Sequence, residues 1–462
     1  MFLDIDPASV AGLTSDEQYW LGELITVMDF HWLNNCQKEK YYEGKISLRD
    51  VNLGIALPDG MRNLEIGCSW GAKCVDVLAA RSMFDGFVGV NGSNVNELSQ
   101  LMESNDLIAE YGKATRDELK FGCTFATLSK DPRIGCKIRW HSPKTAAALW
   151  DGDKGRIRCG LAVVDAVRDS ITATWTPSVV NYYTDAAVIV ISIGQRGWEA
   201  VRYPHKMGRP LMEPMIWNAT SGKPFGRSRI KEPVRRLIDG YVRTIANATI
   251  GLEFATSPQK YLLGVTDEQY DSLINQKFKQ YVGSIIASTT NPETGEKPTF
   301  GQLQQGSIQP HVEMVRILAT QFSAATGLPV TDTGVVNDAN PTSSDAIEAQ
   351  TKTLVGLAEQ LNLNNGDSLR MIAQMALAIA NNTTIDDLTE EQRSVVAHFK
   401  NPAMPSVAVT ADAAIKIASA RQGFAQTDTF LEMIGFSQAD IRRIKAQEQR
   451  TRGLATLEEM GV

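Results

Sequence analysis

The sequence predicts an α+β protein, mainly helical, with one β-rich block set inside it. Residues 122–201 break into short β-type runs (CTFATLS, CKIRWHS, GLAVVDAV, SITATWT, AAVIVISI, GWEAVRY). Asp131-Pro132, Asp151-Gly152-Asp153 and Gly194-Gln195-Arg196-Gly197 punctuate them, as turns punctuate antiparallel strands. On either side of this block apolar residues recur at three and four, the spacing of helices buried along one face. Strands and helices kept in separate runs, instead of alternating, define the α+β class.

Composition narrows the function classes. The chain has 462 residues, enough for several domains and a sizeable core. Its 43% hydrophobic and 21% charged content is that of folded globular proteins and argues against global disorder. The longest apolar stretch, residues 186–193, is too short to cross a bilayer. Met1-Phe2-Leu3-Asp4-Ile5-Asp6 carries neither the basic start nor the apolar core of a secretory signal, so a cytoplasmic product is expected. Cysteines 36, 68, 74, 123, 136 and 159 all lie in the first third, without a C-x-x-C pair or a nearby histidine, and read as reduced, mostly buried thiols. The histidines stand singly and suggest no metal site. A net charge of −7 argues against a protein that grips phosphates over its whole surface. It says nothing against a protein that touches phosphates only weakly.

In chain order, residues 14–43 read as a helix starting near Thr14 or Ser15, with Asp16 and Glu17 in its first turn. Its aromatic residues Trp20, Phe30, Trp32, Tyr41 and Tyr42 are expected to pack. Leu64-Glu65-Ile66-Gly67-Cys68-Ser69-Trp70-Gly71 is similar to the first motif of Rossmann-type methyltransferases, where a glycine turn cradles S-adenosylmethionine. Against that, Ser69 stands where the central glycine belongs, and Asn91 replaces the acid expected on the ribose. The βα alternation of a doubly wound sheet does not follow. Read as a helix, the stretch puts Cys74, Val75, Leu78 and Ala79 on one face, with a turn at Phe84-Asp85-Gly86-Phe87. Residues 94–121 suggest one more helix, with Leu98, Leu101, Ile108 and Tyr111 on one face. In the β block Asp151, Asp153 and Asp165 are better read as hairpin polar groups than as a metal cluster.

A second helical region occupies residues 225–251. Val234, Leu237, Ile238, Tyr241, Val242 and Ile245 form its apolar face; Arg227, Arg229, Lys231, Arg235, Arg236 and Arg243 outnumber Glu232 and Asp239. Residues 252–307 interrupt it. Thr266-Asp267-Glu268-Gln269 looks like a helix start, with Tyr270, Leu273, Ile274, Phe278 and Tyr281 as its apolar face, and a turn follows at Asn291-Pro292. Residues 308–326 return to a helix of about 28 Å, with Pro310 in its first turn and Gly327-Leu328-Pro329 as its stop. A polar loop fills 328–342. A longer helix then starts near Asp345 and Glu348, a capping-box-like pair, and would reach about 55 Å if straight. Gly356 and the run from Asn362 to Gly366 predict a kink or break in it. Residues 386–400 look helical and 406–410 strand-like. The tail reads as short helices at 411–421, 426–434 and 437–450, with Gly435 ending one and Ser437 capping the next.

The order helix, insertion, helix, polar loop, long helix resembles the portal (head-to-tail connector) proteins of tailed bacteriophages, of the siphophage type. Tyr41-Tyr42-Glu43-Gly44 matches a Tyr-Tyr-x-Gly stretch common in that family, and Val75-Asp76-Val77-Leu78 with Asp85-Gly86-Phe87 matches its next segment. The resemblance implies a wing over 1–224 holding the β-rich block (122–201), a stem helix at 225–251 and a clip at 252–307. It further implies a second stem helix at 308–327, a tunnel loop at 328–342, a long kinked helix returning to the wing over 343–410, and a crown of helices at 411–462. It implies a homo-oligomeric ring of about twelve subunits at one capsid vertex, assembled in the host cytoplasm and carried in the virion. Its partners would be the terminase large subunit, the head-tail adaptor, major capsid or scaffolding protein, and double-stranded DNA in the channel; no membrane is involved. Tunnel-loop candidates facing DNA are then Asp332, Val335, Val336, Asn337, Asp338 and Asn340. Channel or intersubunit candidates are Arg229, Lys231, Arg235, Arg236 and Arg243, and clip docking candidates are Asn291, Glu293, Glu296 and Lys297. The sequence carries no Ser/His/Asp set, P-loop or paired-carboxylate motif, so neither catalysis nor a cofactor is expected. The methyltransferase reading of residues 64–71 is the alternative.

Overall fold

Thr14 opens the first long helix by a reciprocal cap. Its hydroxyl accepts from the Glu17 amide (3.3 Å), and the Glu17 carboxylate accepts from the Thr14 amide (2.8 Å). Helix α1 follows over Ser15–Tyr42. The structure is a computed structural model that describes residues 3–47, 65–89, 96–168, 175–195, 197–256, 260–263, 295, 299–302, 307–335, 344–403, 407–421, 423–436 and 438–459. After α1, β1 (Lys45–Ser47) pairs antiparallel with β2 (Glu65–Gly67). Next come α2 (Trp70–Ala79), β3 (Phe84–Val88), α3 (Asn96–Ser104) and α4 (Leu107–Phe121).

Two expectations change in this stretch. Residues 84–87 form a strand where a turn was expected, with Gly86 at φ 138°. The single helix expected over 94–121 is two, because the buried Asn105 side chain donates to Leu101 O and Cys136 O and accepts from the Ile138 amide. Asp106 then turns left-handed (φ 48°). Ile108 is thereby 52% exposed, whereas Tyr111 is buried.

The β-rich block contains β4 (Cys123–Asp131), β5 (Gly135–His141), β6 (Ala146–Asp151) and β7 (Arg156–Arg168). It continues with β8 (Trp175–Tyr183), β9 (Ala187–Gly194), β10 (Gly197–Pro204) and β11 (Met212–Ile216). The strands form an antiparallel five-stranded sheet ordered β10-β9-β8-β7-β6 and a three-stranded sheet ordered β11-β4-β5. Strand β11 carries Pro214 at the sheet edge, where a missing backbone N–H costs least. The Asp151 carboxylate accepts from the Asp153 and Lys154 amides, so it closes the β6–β7 turn as a hairpin polar group.

Helix α5 spans Glu232–Thr256, starting later than residue 225. The residues ahead of it are tied to the end of α4: the Arg229 amide donates to Leu119 O (2.9 Å), and the Ser228 hydroxyl donates to Lys120 O. The insertion is entered and left through an antiparallel ribbon of β12 (Lys260–Leu263) and β13 (Thr299–Gln302); the helix expected from Thr266 lies outside the described residues. Helix α6 (Gln309–Thr326) ends on Gly327 at φ 71°. A 3₁₀ turn at Val330–Thr333 precedes the 37-residue helix α7 (Ser344–Ala380); the Asp345 and Glu348 side chains lie outside the described residues.

After α7 come α8 (Glu390–Arg393), β14 (Val396–Phe399), α9 (Val407–Ala420), α10 (Asp428–Ile434) and α11 (Gln438–Glu459). The helix expected over 386–400 is thus one turn and a strand, because Val396–Phe399 completes a ribbon with β3. Of the strand expected at 406–410, residues 407–410 belong to α9, and residue 406 lies outside the described residues. Gly435 ends α10 at φ 105°; Ser437 lies outside the described residues.

Three cores hold these parts together. One joins β4, β5 and β11 to α3, α4 and the Leu369–Ile379 half of α7. The second gathers α2, α5, α6 and Leu354, Ala358 and Leu361 of α7. The third lays α1 and Leu3, Ile5 and Val10 on the five-stranded sheet. Helix α7 therefore bridges the first two. Of the expected kink or break at residues 362–366, a break is absent: the helix is continuous there, in the gap between the two cores, and Asn362 and Asn365 find tertiary partners.

Candidate functional site

The long helices α5, α6 and α7 are rooted at Trp70 and Arg229. Trp70, buried at the start of α2, packs against Tyr241 of α5 and Phe322 of α6, with ring centroids 4.6 and 4.9 Å away. Its indole N–H donates to Thr333 O (3.1 Å) and so fixes the 3₁₀ turn ahead of α7. Arg229 donates from Nε to Cys74 O and from Nη2 to Thr326 O (2.6 Å), tying α2 to the C-terminal end of α6. Buried carbonyls at a helix end need donors, and a guanidinium supplies several.

The predicted basic residues therefore separate. Arg229 is buried and spends its donors within the chain, so it is not part of a helical basic face. Lys231 is exposed. Arg235 donates to Gln37 of α1 and lies 5.9 Å over the Tyr41 ring. Arg236 is exposed and paired one turn back with Glu232 (3.3 Å), and Arg243 is half-buried. On the same helix Asp239 accepts from the Tyr41 hydroxyl (2.7 Å). Burial raises its carboxyl above the ordinary range against that bond and the nearby arginines.

Of the loop candidates, Asp332 is half-buried in the 3₁₀ turn, and Val335 packs against the second core instead of standing free. Val336, Asn337, Asp338 and Asn340 lie outside the described residues, as do Asn291, Glu293, Glu296 and Lys297. Among the expected packing aromatics, Tyr41 is buried but Phe30 is 79% exposed in the single protomer.

Sequence reasoning missed a buried polar cluster where α7 passes between cores. Asn365 donates to Glu118 Oε2 (2.8 Å) and to the Tyr111 hydroxyl (3.1 Å). Ser82 bonds the same hydroxyl (2.6 Å) and donates to Asn362 Oδ1 (2.6 Å). Glu118 is fully buried, and Oε1 has no partner among the described residues. Burial pushes its carboxyl up to about 8, with the Asn365 bond opposing. The only sequence signal was asparagine at helix-interior spacing, a residue type that helices tolerate poorly without such partners.

The described part of the methyltransferase-like motif, residues 65–71, has no dinucleotide-type strand arrangement around it. Strand, helix and strand do follow one another, but β2 pairs antiparallel with β1 and β3 antiparallel with β14, in separate sheets. A dinucleotide-type site needs adjacent parallel strands. The buried thiols are equally unsuited to chemistry: burial pushes Cys68 up to about 11 and Cys74, Cys123, Cys136 and Cys159 up to about 12. Among the described residues no His, Cys, Asp and Glu group has metal-binding geometry, and no helix is long and apolar enough to cross a membrane.

No family model matches the chain. Two curated relatives do, over 457 residues covering 95% of this chain and 90% of each of theirs. They are the portal protein of Mycobacterium phage L5, 25% identical, and that of Mycobacterium phage D29, 24% identical. Among solved structures, a virion of a native gene transfer agent particle aligns with TM-score 0.46 and 13% identity, covering 79% of this chain and 89% of that one. The neck of an empty gene transfer agent particle aligns with TM-score 0.47 and 14% identity, covering 77% and 86%. Over nearly its whole length the chain is thus similar to two phage portal proteins. Its order of elements likewise resembles that of the siphophage-type portals.

Proposed function

We propose that this chain is the subunit of a portal ring of about twelve copies, set at one capsid vertex as the passage for double-stranded DNA. One observation carries the reading. Helix α5, an inserted ribbon, α6, a short turn and α7 follow in portal order, and all three helices root on one core around Trp70. In this assignment α5 and α6 are the stem, residues 252–307 the clip, 328–342 the tunnel loop, 1–224 the wing and 411–462 the crown. The clip docks the terminase motor during packaging and the head-tail adaptor afterwards, and the motor's ATP drives the DNA. Tunnel loops carrying Asp332 and Asp338 without Lys or Arg touch phosphates only transiently. The basic residues Lys231, Arg235, Arg236 and Arg243 meet acidic surface on the next subunit.

The outward faces support a closed ring. Leu252 on α5, Val312, Met314 and Ile317 on α6 and Leu363 on α7 are all more than 40% exposed in one protomer, apolar area that neighbours would cover. The test is the native mass of the purified protein with negative-stain imaging. Rings with a central hole are expected; a species that stays monomeric and binds S-adenosylmethionine overturns the reading.

A further inference from the structure

We infer that the cleft between α1 and the residues leading into α5 is a socket for an acidic, apolar-anchored segment of a second copy of this chain. The inference rests on the ring proposed above and names a contact within it. The cleft has a volume of about 620 Å³, a size that holds an inserted group rather than a few waters. Met28, Phe125 and Phe225 contribute apolar walls, while Lys38, Lys223, Arg227, Lys231 and Arg235 bring five cations to it. Among the described residues none of the five forms an ion pair. Glu232, the acid at the lip, is already paired with Arg236.

Unpaired charge is costly where it is half-buried, as at Lys38 and Arg235, whereas Lys223, Arg227 and Lys231 are exposed and stand ready to meet an anion. Lys38 shows that cost. Its ammonium donates to Asn35 Oδ1 (3.1 Å) and Phe121 O (3.0 Å), yet burial still lowers it to about 8, with Arg235 acting in the same direction. His31 is also held below its ordinary value, first by burial and then by Lys38 and Lys223. A carboxylate placed among them would favour the charged form of both groups and offset the repulsion between the cations.

The occupant is a protein segment and not nucleic acid, because phosphates would answer the charges but leave the apolar walls wet. A second copy is the natural source. Outside this cluster the chain is more acidic than its overall −7, so complementary surface is abundant. Phe30 and Leu33, each 79% exposed on α1 beside the cleft, would be covered by a chain lying across the mouth. Heterologous contact of a basic socket with an acidic surface is the arrangement that closes cyclic rings.

The experiment is zero-length carbodiimide coupling, which joins amines only to carboxylates in contact. It is applied to rings reassembled from equal amounts of ¹⁵N-labelled and unlabelled protein, with peptide mapping by mass spectrometry. Mixed-isotope links from Lys38, Lys223 or Lys231 to an Asp or Glu are expected, and they identify the inserted segment. The double variant Lys223→Glu/Lys231→Glu, at two exposed positions, should melt like the parent and lose ring yield by about tenfold, equivalent to about 1.4 kcal/mol. Parent rings in which these lysines couple only within their own copy or not at all, or a double variant that assembles normally, overturn the socket and leave the ring intact. A parent protein that never assembles overturns the ring itself, and the socket with it.

Discussion

The carbonyl oxygen of Tyr41 lies where Gly71 would carry a side chain: a Cβ built on Gly71 falls 2.0 Å from it. The end of α1 and the start of α2 touch through bare backbone, and the conformation of Gly71 itself is ordinary. Close approach, and not a turn or a bound cofactor, explains this glycine.

Gly71→Ala should therefore force α1 and α2 apart. A loss of about 1–3 kcal/mol, or somewhat more, is expected for overpacking a rigid contact, read as a lower urea midpoint. An unchanged midpoint would mean that the two helices are free to separate.

Trp70→Phe keeps an aromatic ring between Tyr241 and Phe322 but removes the indole donor. Thr333 O then loses its bond, at a cost of about 1 kcal/mol. Amide hydrogen exchange should rise over residues 330–335 while the β-rich block keeps its protection. A uniform rise across the chain would show instead that the bond does not act locally.

Glu118 makes stability depend on pH in a defined sense. Its folded carboxyl titrates at about 8, above the ordinary 4.5, so between those values the native chain holds a proton that the unfolded chain has lost. Its stabilising contribution is complete below the ordinary value and is lost as pH rises through about 8. Glu118→Gln, which keeps a group able to pair with Asn365, should flatten that part of the profile in denaturant titrations at pH 5, 7 and 8.5. A variant that retained the parental slope would place its origin elsewhere.

Arg236→Glu tests the intersubunit role proposed for the basic face. The side chain is 75% exposed with one surface ion pair, so folding stability should move by no more than about 0.5 kcal/mol. Ring formation should fall, as read by native mass. Normal rings that fail to package DNA would assign the residue to the channel.

Several elements were legible because local and tertiary demands agree. Thr14 with Glu17, Gly327 after α6 and the apolar run of β9 each announce structures that the fold retains, whereas the run expected at 170–176 meets β8 only at Trp175 and Thr176. The failures lie where distant contacts win. Residues 84–88 and 396–399 become strands only by pairing with each other, a partnership no local window contains. Asn362 and Asn365 read as a helix break because their partners Ser82, Tyr111 and Glu118 are remote in sequence. Arg229 sits at helical spacing with Arg235 and Arg236, yet it is pulled inward by the carbonyls of Cys74 and Thr326. Its charge gave no hint of burial. The glycine motif misled for a related reason: Gly71 serves contact with a helix end thirty residues earlier.

The pairing of β14 with β3 also sets an order of events during synthesis. Phe399 lies opposite Phe84 in the ribbon, and the first core further needs residues 369–379 of α7. An emerging chain must therefore hold α3, α4 and the first strands of the β-rich block with that core unfinished until nearly nine-tenths of the protein has left the ribosome. Such late closure exposes apolar surface for longer, but it also keeps partial chains from presenting a finished subunit. In the proposed ring, truncated products would then be poor competitors for a place beside complete copies.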